Sequence, residues 1–152
     1  MRHKLVSSIT ALALVLGFSV QVAAETTAED ALKYRQSIMT ALKGHAGAIS
    51  MQTRGLAGDP AHVSKHADAI AALAAELKTV FQEGSNVEDS EALPVIWEEP
   101  EEFAEALAKV EAATAALSEA TASGNMEAIG GAFREVGQAC KGCHERFRVD
   151  DD

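Results

Sequence analysis

The C-terminal part of the chain carries apolar side chains at Ile129, Phe133, Val136, Cys140, Cys143 and Phe147, in steps of 4, 3, 4, 3 and 4. Steps of three and four put all six on one face of an α-helix, so both cysteines share the face that turns to a core. The same cysteines belong to Cys140-Lys141-Gly142-Cys143-His144, which spells C-x-x-C-H, the attachment sequence for a c-type haem. The spacing suits that chemistry because two thiols must add to the two vinyl groups of a porphyrin while the adjacent imidazole ligates iron. A zinc site would want a second ligand pair at matching spacing, and the chain holds only these 2 cysteines. A thioredoxin-like motif would open a helix after a strand, whereas this one ends a long helical pattern. The expected cofactor is therefore one haem c, covalently bound through two thioethers at Cys140 and Cys143, with His144 as an iron ligand.

No convincing strand alternation follows Ala24, and the helical period recurs three more times. Helix one opens at Thr26 or Thr27, with Thr26 and Glu29 spaced as a capping box, and its stripe reads Leu32, Arg35, Met39, Leu42, Ala46, Ile49. Arg54-Gly55-Leu56-Ala57-Gly58 breaks it, and Asp59-Pro60 supplies a cap and first-turn proline for helix two. The second stripe runs through Val63, Ala67, Ile70, Leu73 or Ala74, Leu77 and Phe81. An acidic connection from Glu83 to about Leu93 leads to helix three, which begins between Trp97 and Pro100, carries Phe103, Leu107, Val110, Thr114 and Leu117, and ends at Ser123-Gly124. Asn125 caps helix four. Gly130, Gly131 and Gly137 cost that helix stability, with room for a macrocycle near the backbone as the expected return. Short connections make neighbours antiparallel, so the expected fold is all-α, an antiparallel up-down-up-down four-helix bundle around a covalently bound haem.

Arg2, His3 and Lys4 precede an apolar stretch from Leu5 to about Val20 and then Val22-Ala23-Ala24, a small-residue cleavage pattern. Residues 1–24 are read as a cleaved signal peptide and 25–152 as one haem domain in the bacterial periplasm, with no membrane span in the mature form. Removing Arg2 and Lys4 moves the formal charge from −10 to −12, which argues against nucleic acid or anionic lipid as a partner and leaves solubility or steering of a basic partner as its use. Aromatic residues make up only 5% of the chain, so a planar apolar cofactor would help fill an alanine-rich interior.

Glu29-Asp30-Ala31-Leu32-Lys33-Tyr34-Arg35-Gln36, Pro94-Val95-Ile96-Trp97, and Ala132-Phe133-Arg134-Glu135-Val136-Gly137 leading into the haem motif and Arg148 together resemble the class II c-type cytochromes, which comprise cytochrome c′ and its low-spin relatives. The resemblance extends over the whole mature chain. It implies that Cys140 and Cys143 are the thioether cysteines and His144 the proximal ligand, that Met39 faces the other side of the iron, that Arg35 lies near the haem propionates, and that Arg148 is a basic residue close to the proximal side. In low-spin members a methionine at the position of Met39 ligates iron; in cytochromes c′ the equivalent residue packs over a five-coordinate iron. The residues themselves agree on part of this. Arg35 interrupts an apolar stripe, so its charge meets an anion if it points inward, or its stem lies along the bundle with the head in water.

Three functions then compete. The expectation is a monohaem periplasmic one-electron carrier with His144 and Met39 as axial ligands, serving redox partner proteins, because a soft thioether is available and residues 38–49 look more like the low-spin relatives. The alternative is a five-coordinate cytochrome c′ that binds nitric oxide or carbon monoxide. A peroxidase is disfavoured because no distal His or Arg pair beside Met39 offers acid–base chemistry, so no enzyme is expected. Some family members dimerise, which puts a homodimer among the implied states. His62 and His66 lack a third metal ligand and are read as surface histidines, and His45 lies on another face of its helix from Met39. Lys141, Arg146 and Arg148 form a basic cluster suited to docking.

Overall fold

A computed structural model describes residues 26–149, so the proposed signal peptide lies outside the described residues. Four long helices, α1 (Ala28–Thr53), α2 (Val63–Val80), α4 (Pro100–Thr121) and α5 (Met126–Phe147), are joined by short links and by one short helix, α3 (Val95–Glu98). The chain packs α1 on α2, α2 on α4 and α4 on α5, and α1 closes the ring against α5 along the thinnest of these seams. The expected four-helix bundle is the fold. No helix among the described residues is long and apolar enough to cross a membrane.

Local chemistry explains the helix ends. Thr27, not Thr26, caps α1: its Oγ1 accepts from the Asp30 N–H at 3.1 Å and donates to the Asp30 carboxylate at 2.9 Å, so the acid of the cap is Asp30 rather than Glu29. Asp59 accepts from the Ala61 N–H at 2.9 Å, but Pro60–His62 form a 3-10 turn and α2 starts only at Val63. Asn125 accepts from Glu127 and Ala128 at 2.9 and 3.2 Å, as its position predicts. Gly124 turns the chain between α4 and α5 with φ of 63°, a conformation that disfavours a side chain.

Two core clusters share the bundle. One gathers Ile38, Ala74, Leu77, Val80, Ile96, Phe103, Leu107, Val110 and Phe147 around the C-terminal end of α5. The other gathers Ile49, Val63, Ala67, Ile70, Leu117, Ile129 and Val136 around its start. Leu42 and Cys140 touch both clusters, so the first haem cysteine sits where the two halves of the interior meet. On α2 the buried residues are Val63, Ala67, Ile70, Ala74, Leu77 and Val80, so Ala74 and Val80 take the places that the stripe offered to Leu73 and Phe81, which are half-buried beside them. The 81–94 connection folds back on the end of α5: the Leu93 N–H donates to the Phe147 carbonyl at 3.0 Å and the Val149 N–H to the Glu91 carbonyl at 2.8 Å.

Candidate haem site

α5 delivers Cys140 and Cys143 half-buried against the first cluster, both as free thiols. Burial pushes both thiols up, and Cys143, which also feels Cys140, rises to about 11. Neutral thiols in apolar surroundings are poor metal or disulfide-exchange ligands on their own. His144 stands at the rim of the site with its side exposed. Partial burial and then the Arg148 charge hold its imidazole below the ordinary value, against an opposing pull from Glu91. The Arg148 N–H donates to the His144 carbonyl at 3.0 Å, which closes the last turn and brings the Arg148 side of the chain to the histidine.

Across the seam, the α1 stripe is only partly covered. Leu32, Arg35 and Ile49 are buried, whereas Met39, Leu42 and Ala46 between them are half-exposed, as are Phe133, Cys140 and Cys143 on α5. Apolar residues spaced for the core thus stay half-open on both helices at one level, the level of the haem motif. That lining suits an apolar ring carried by the two thiols. A second opening of about 480 Å³ between α4 and α5 also reaches Cys143, but Glu102, Lys109 and Arg146 line it, and charged walls suit a macrocycle less well.

Arg35 gives the second test of fit. Its guanidinium is buried, at 4% exposure, and lies 5.0 Å from the centre of the Phe81 ring. Nη1 donates to Ser85 Oγ at 2.8 Å, and Nη2 donates to the Ser85 carbonyl at 3.2 Å and to Ser90 Oγ at 3.1 Å. Every one of these acceptors is neutral, and no carboxylate among the described residues pairs with it. Burial pulls the guanidinium below its ordinary value without removing its charge. A buried cation held only by neutral oxygens is suited to an anionic propionate. Sequence alone gives no sign of Ser85 and Ser90, since polar residues of a loop carry no periodicity.

Other expectations change. His66, expected at the surface with His62, is half-buried instead, with its Nδ1 2.9 Å from that of His45 across α1 and α2, whereas His62 is exposed as expected. Two members of the basic cluster have acidic partners, Lys141 with Glu145 at 2.7 Å and Arg146 with Glu99 and Glu102, which lowers the positive charge those two offer for docking. A Cβ on Gly130 would meet Thr53 of α1 at 3.9 Å, while one on Gly137 would meet nothing within 4 Å.

The family model for cytochrome C′ matches residues 30–148. The cytochrome c′ of Pararhodospirillum photometricum is 36% identical over 118 residues, covering 77% of this chain and 94% of that protein. Cytochrome c-554 of Cereibacter sphaeroides is 36% identical over 150 residues, covering 91% and 97%. The cytochrome c prime of Alcaligenes xylosoxidans, solved as point variants with nitric oxide and with carbon monoxide, superposes with a TM-score of 0.75 at 30% identity over 82% of this chain and 98% of that one. A cytochrome c′ with ligand-controlled dimer dissociation superposes at 0.76 with 28% identity, over 84% and 100%. These relatives overturn the expected one-electron carrier with His144 and Met39 as axial ligands. The physical conflict is one of occupancy: an iron whose sixth position holds a thioether has no place for the diatomic molecules that the relative binds. A methionine spaced for a helix face serves equally as packing or as ligand, so the presence of Met39 could not separate the two. With the match spanning nearly the whole described chain, and with the thiols, the apolar seam and the buried arginine in place, this chain belongs to the cytochrome c′ family, whose proteins bind one covalent haem c.

Proposed function

We propose that this protein binds nitric oxide or carbon monoxide at the five-coordinate iron of a haem c attached to Cys140 and Cys143. When bound, the haem supplies an iron with one position open to an exogenous ligand. His144 provides the axial ligand on the protein's side, and Arg148 stands next to it in the chain's last turn. Met39 packs over the opposite face and restricts access without ligating. Arg35 meets a propionate and is itself positioned by Ser85 and Ser90. The protein is a binder with no substrate to turn over.

The observation that carries this reading is the apolar character of the α1–α5 seam, where Met39 and Leu42 pack with Leu73, Phe81, Cys140 and Cys143 on one cluster. A neutral diatomic molecule loses nothing by entering such a lining, whereas an anion or water would surrender hydrogen bonds. The nitric oxide and carbon monoxide complexes of the related protein support the same assignment. We also propose export to the bacterial periplasm with loss of residues 1–24, which the composition of the leading segment supports, and a homodimer, which the dimer of a related protein supports. Titration of the ferrous holoprotein with nitric oxide should saturate at one molecule per haem, and Met39→Ala should speed association while leaving the spin state of the unliganded protein unchanged. A change of spin state on that substitution would make Met39 a ligand and overturn the proposal.

A further inference from the structure

We infer that His45 and His66 form an acid-opened latch between α1 and α2, closed by one N–H···N bond and opened when both rings become cations. The two rings come from different helices and are half-buried in the packing between them. Their Nδ1 atoms are 2.9 Å apart and their ring centres 5.2 Å apart, so the two nitrogens point head-on at one another. One Nδ1 therefore carries a hydrogen and donates, and the other accepts with its lone pair. A proton added at Nε2 of the donating ring leaves this bond standing and makes it charge-assisted. The next proton has only the accepting Nδ1 left to take. That step removes the acceptor and sets two like charges face to face in a half-buried seam.

The unfolded chain takes up both protons without that repulsion. The latch therefore stabilises the fold where the rings are neutral or share one added proton, and its contribution is lost toward the acid end of the range, about pH 8 to about 5, in which histidines charge. The charged and titratable side chains on the elements around the pair are Lys43 on α1, His62, Lys65 and Asp68 on the 3-10 turn and α2, Glu119 on α4, and Arg134 and Glu135 on α5. All are exposed, so solvent screens them, and Asp68 accepts from Ser118 of α4. The latch matters to the site because α1 carries Arg35 and Met39 and is held broadly by α2 but thinly by α5. A second side-chain bond joins the same two helices about three turns away, where Tyr34 Oη donates to Glu76 at 3.0 Å, and it is exposed. Opening the histidine pair leaves its end of the seam to the apolar contacts of Ile49, Val63, Ala67 and Ile70.

The test is a double-mutant cycle in the ferric holoprotein: urea unfolding of the parent, His45→Ala, His66→Ala and the double variant, at about pH 8 and at about pH 5. The cycle cancels the acid sensitivity of every other group and isolates the pair. At the higher pH the two histidines should reinforce one another by roughly three- to tenfold in the folding equilibrium, the yield of one neutral hydrogen bond. At the lower pH that coupling should vanish or change sign. A coupling equal at the two pH values, or absent at the higher one, overturns the inference. The parent protein alone supplies a second readout that needs no variant to fold. In proton magnetic resonance the ring C–H signals of His45 and His66 should each report two separated protonation steps, because the protons belong to the pair. A single independent step at each ring would likewise overturn the latch.

Discussion

A guanidinium as deeply buried as that of Arg35 is costly unless its donors are met, and leaving one unmet costs about 1–3 kcal/mol. Ser85 and Ser90 meet three donor contacts but neutralise no charge. The proposed propionate partner makes a clear prediction. Arg35→Leu should lower the reduction potential of the haem, because losing a nearby positive charge favours the ferric state, whereas Ser85→Ala should shift it much less. Potentiometric titration of both variants checks this, and an unmoved potential in Arg35→Leu would separate that residue from the haem. Cys143 carries a second prediction, for the haem-free protein. Its thiol is raised from an ordinary 9.0 to about 11, so the folded state holds the proton more tightly than the unfolded chain. That stabilisation is fully present below pH 9.0 and is lost as pH climbs toward about 11. The urea midpoint should fall across that window, and less so in Cys143→Ser; equal profiles would deny the burial effect. At this scale the sequence declares its covalent chemistry, since C-x-x-C-H is local. It hides the partners of Arg35, which lie 50 and 55 residues along the chain.

The α5 helix shows how an element prepares its site. Its stripe of Ile129, Phe133, Val136, Cys140, Cys143 and Phe147 is buried at both ends and at Val136, and half-open at the cysteines. Phe147 anchors the C-terminal end, edge-on to Phe103 with ring centres 5.1 Å apart, while the 81–94 connection bonds to the backbone around it. Phe147→Ala should cost about 3–5 kcal/mol in urea unfolding of the holoprotein. A loss below about 1 kcal/mol would mean that the connection alone holds the end of α5. The helical period and the caps at Asp59 and Asn125 made these elements legible in the sequence, because both signals act within a few residues. The extra turn α3 and the 3-10 start before α2 were not legible. Each depends on how a proline-containing link meets the neighbouring helices. The burial of Val80 ahead of Phe81 was also missed, since the stripe drifts as α2 ends.

At the scale of the molecule, three broad contacts and one thin one define the bundle, and the thin seam between α1 and α5 bears the haem motif. The alternation of period and break foretold four antiparallel helices, but not which pair would stay least closed, because that depends on side chains from two helices more than seventy residues apart along the chain. The sequence was legible as a class II c-type cytochrome with two competing iron coordinations, and the choice between them went the wrong way. Whether Met39 ligates or merely packs is a matter of small distances around an iron, to which helical spacing is blind. The direct measurement is the absorption spectrum of the reduced holoprotein before and after carbon monoxide is added. The account predicts a broad high-spin spectrum and prompt formation of a carbon monoxide complex at one molecule per haem. A sharp low-spin alpha band with sluggish or absent reaction would contradict it.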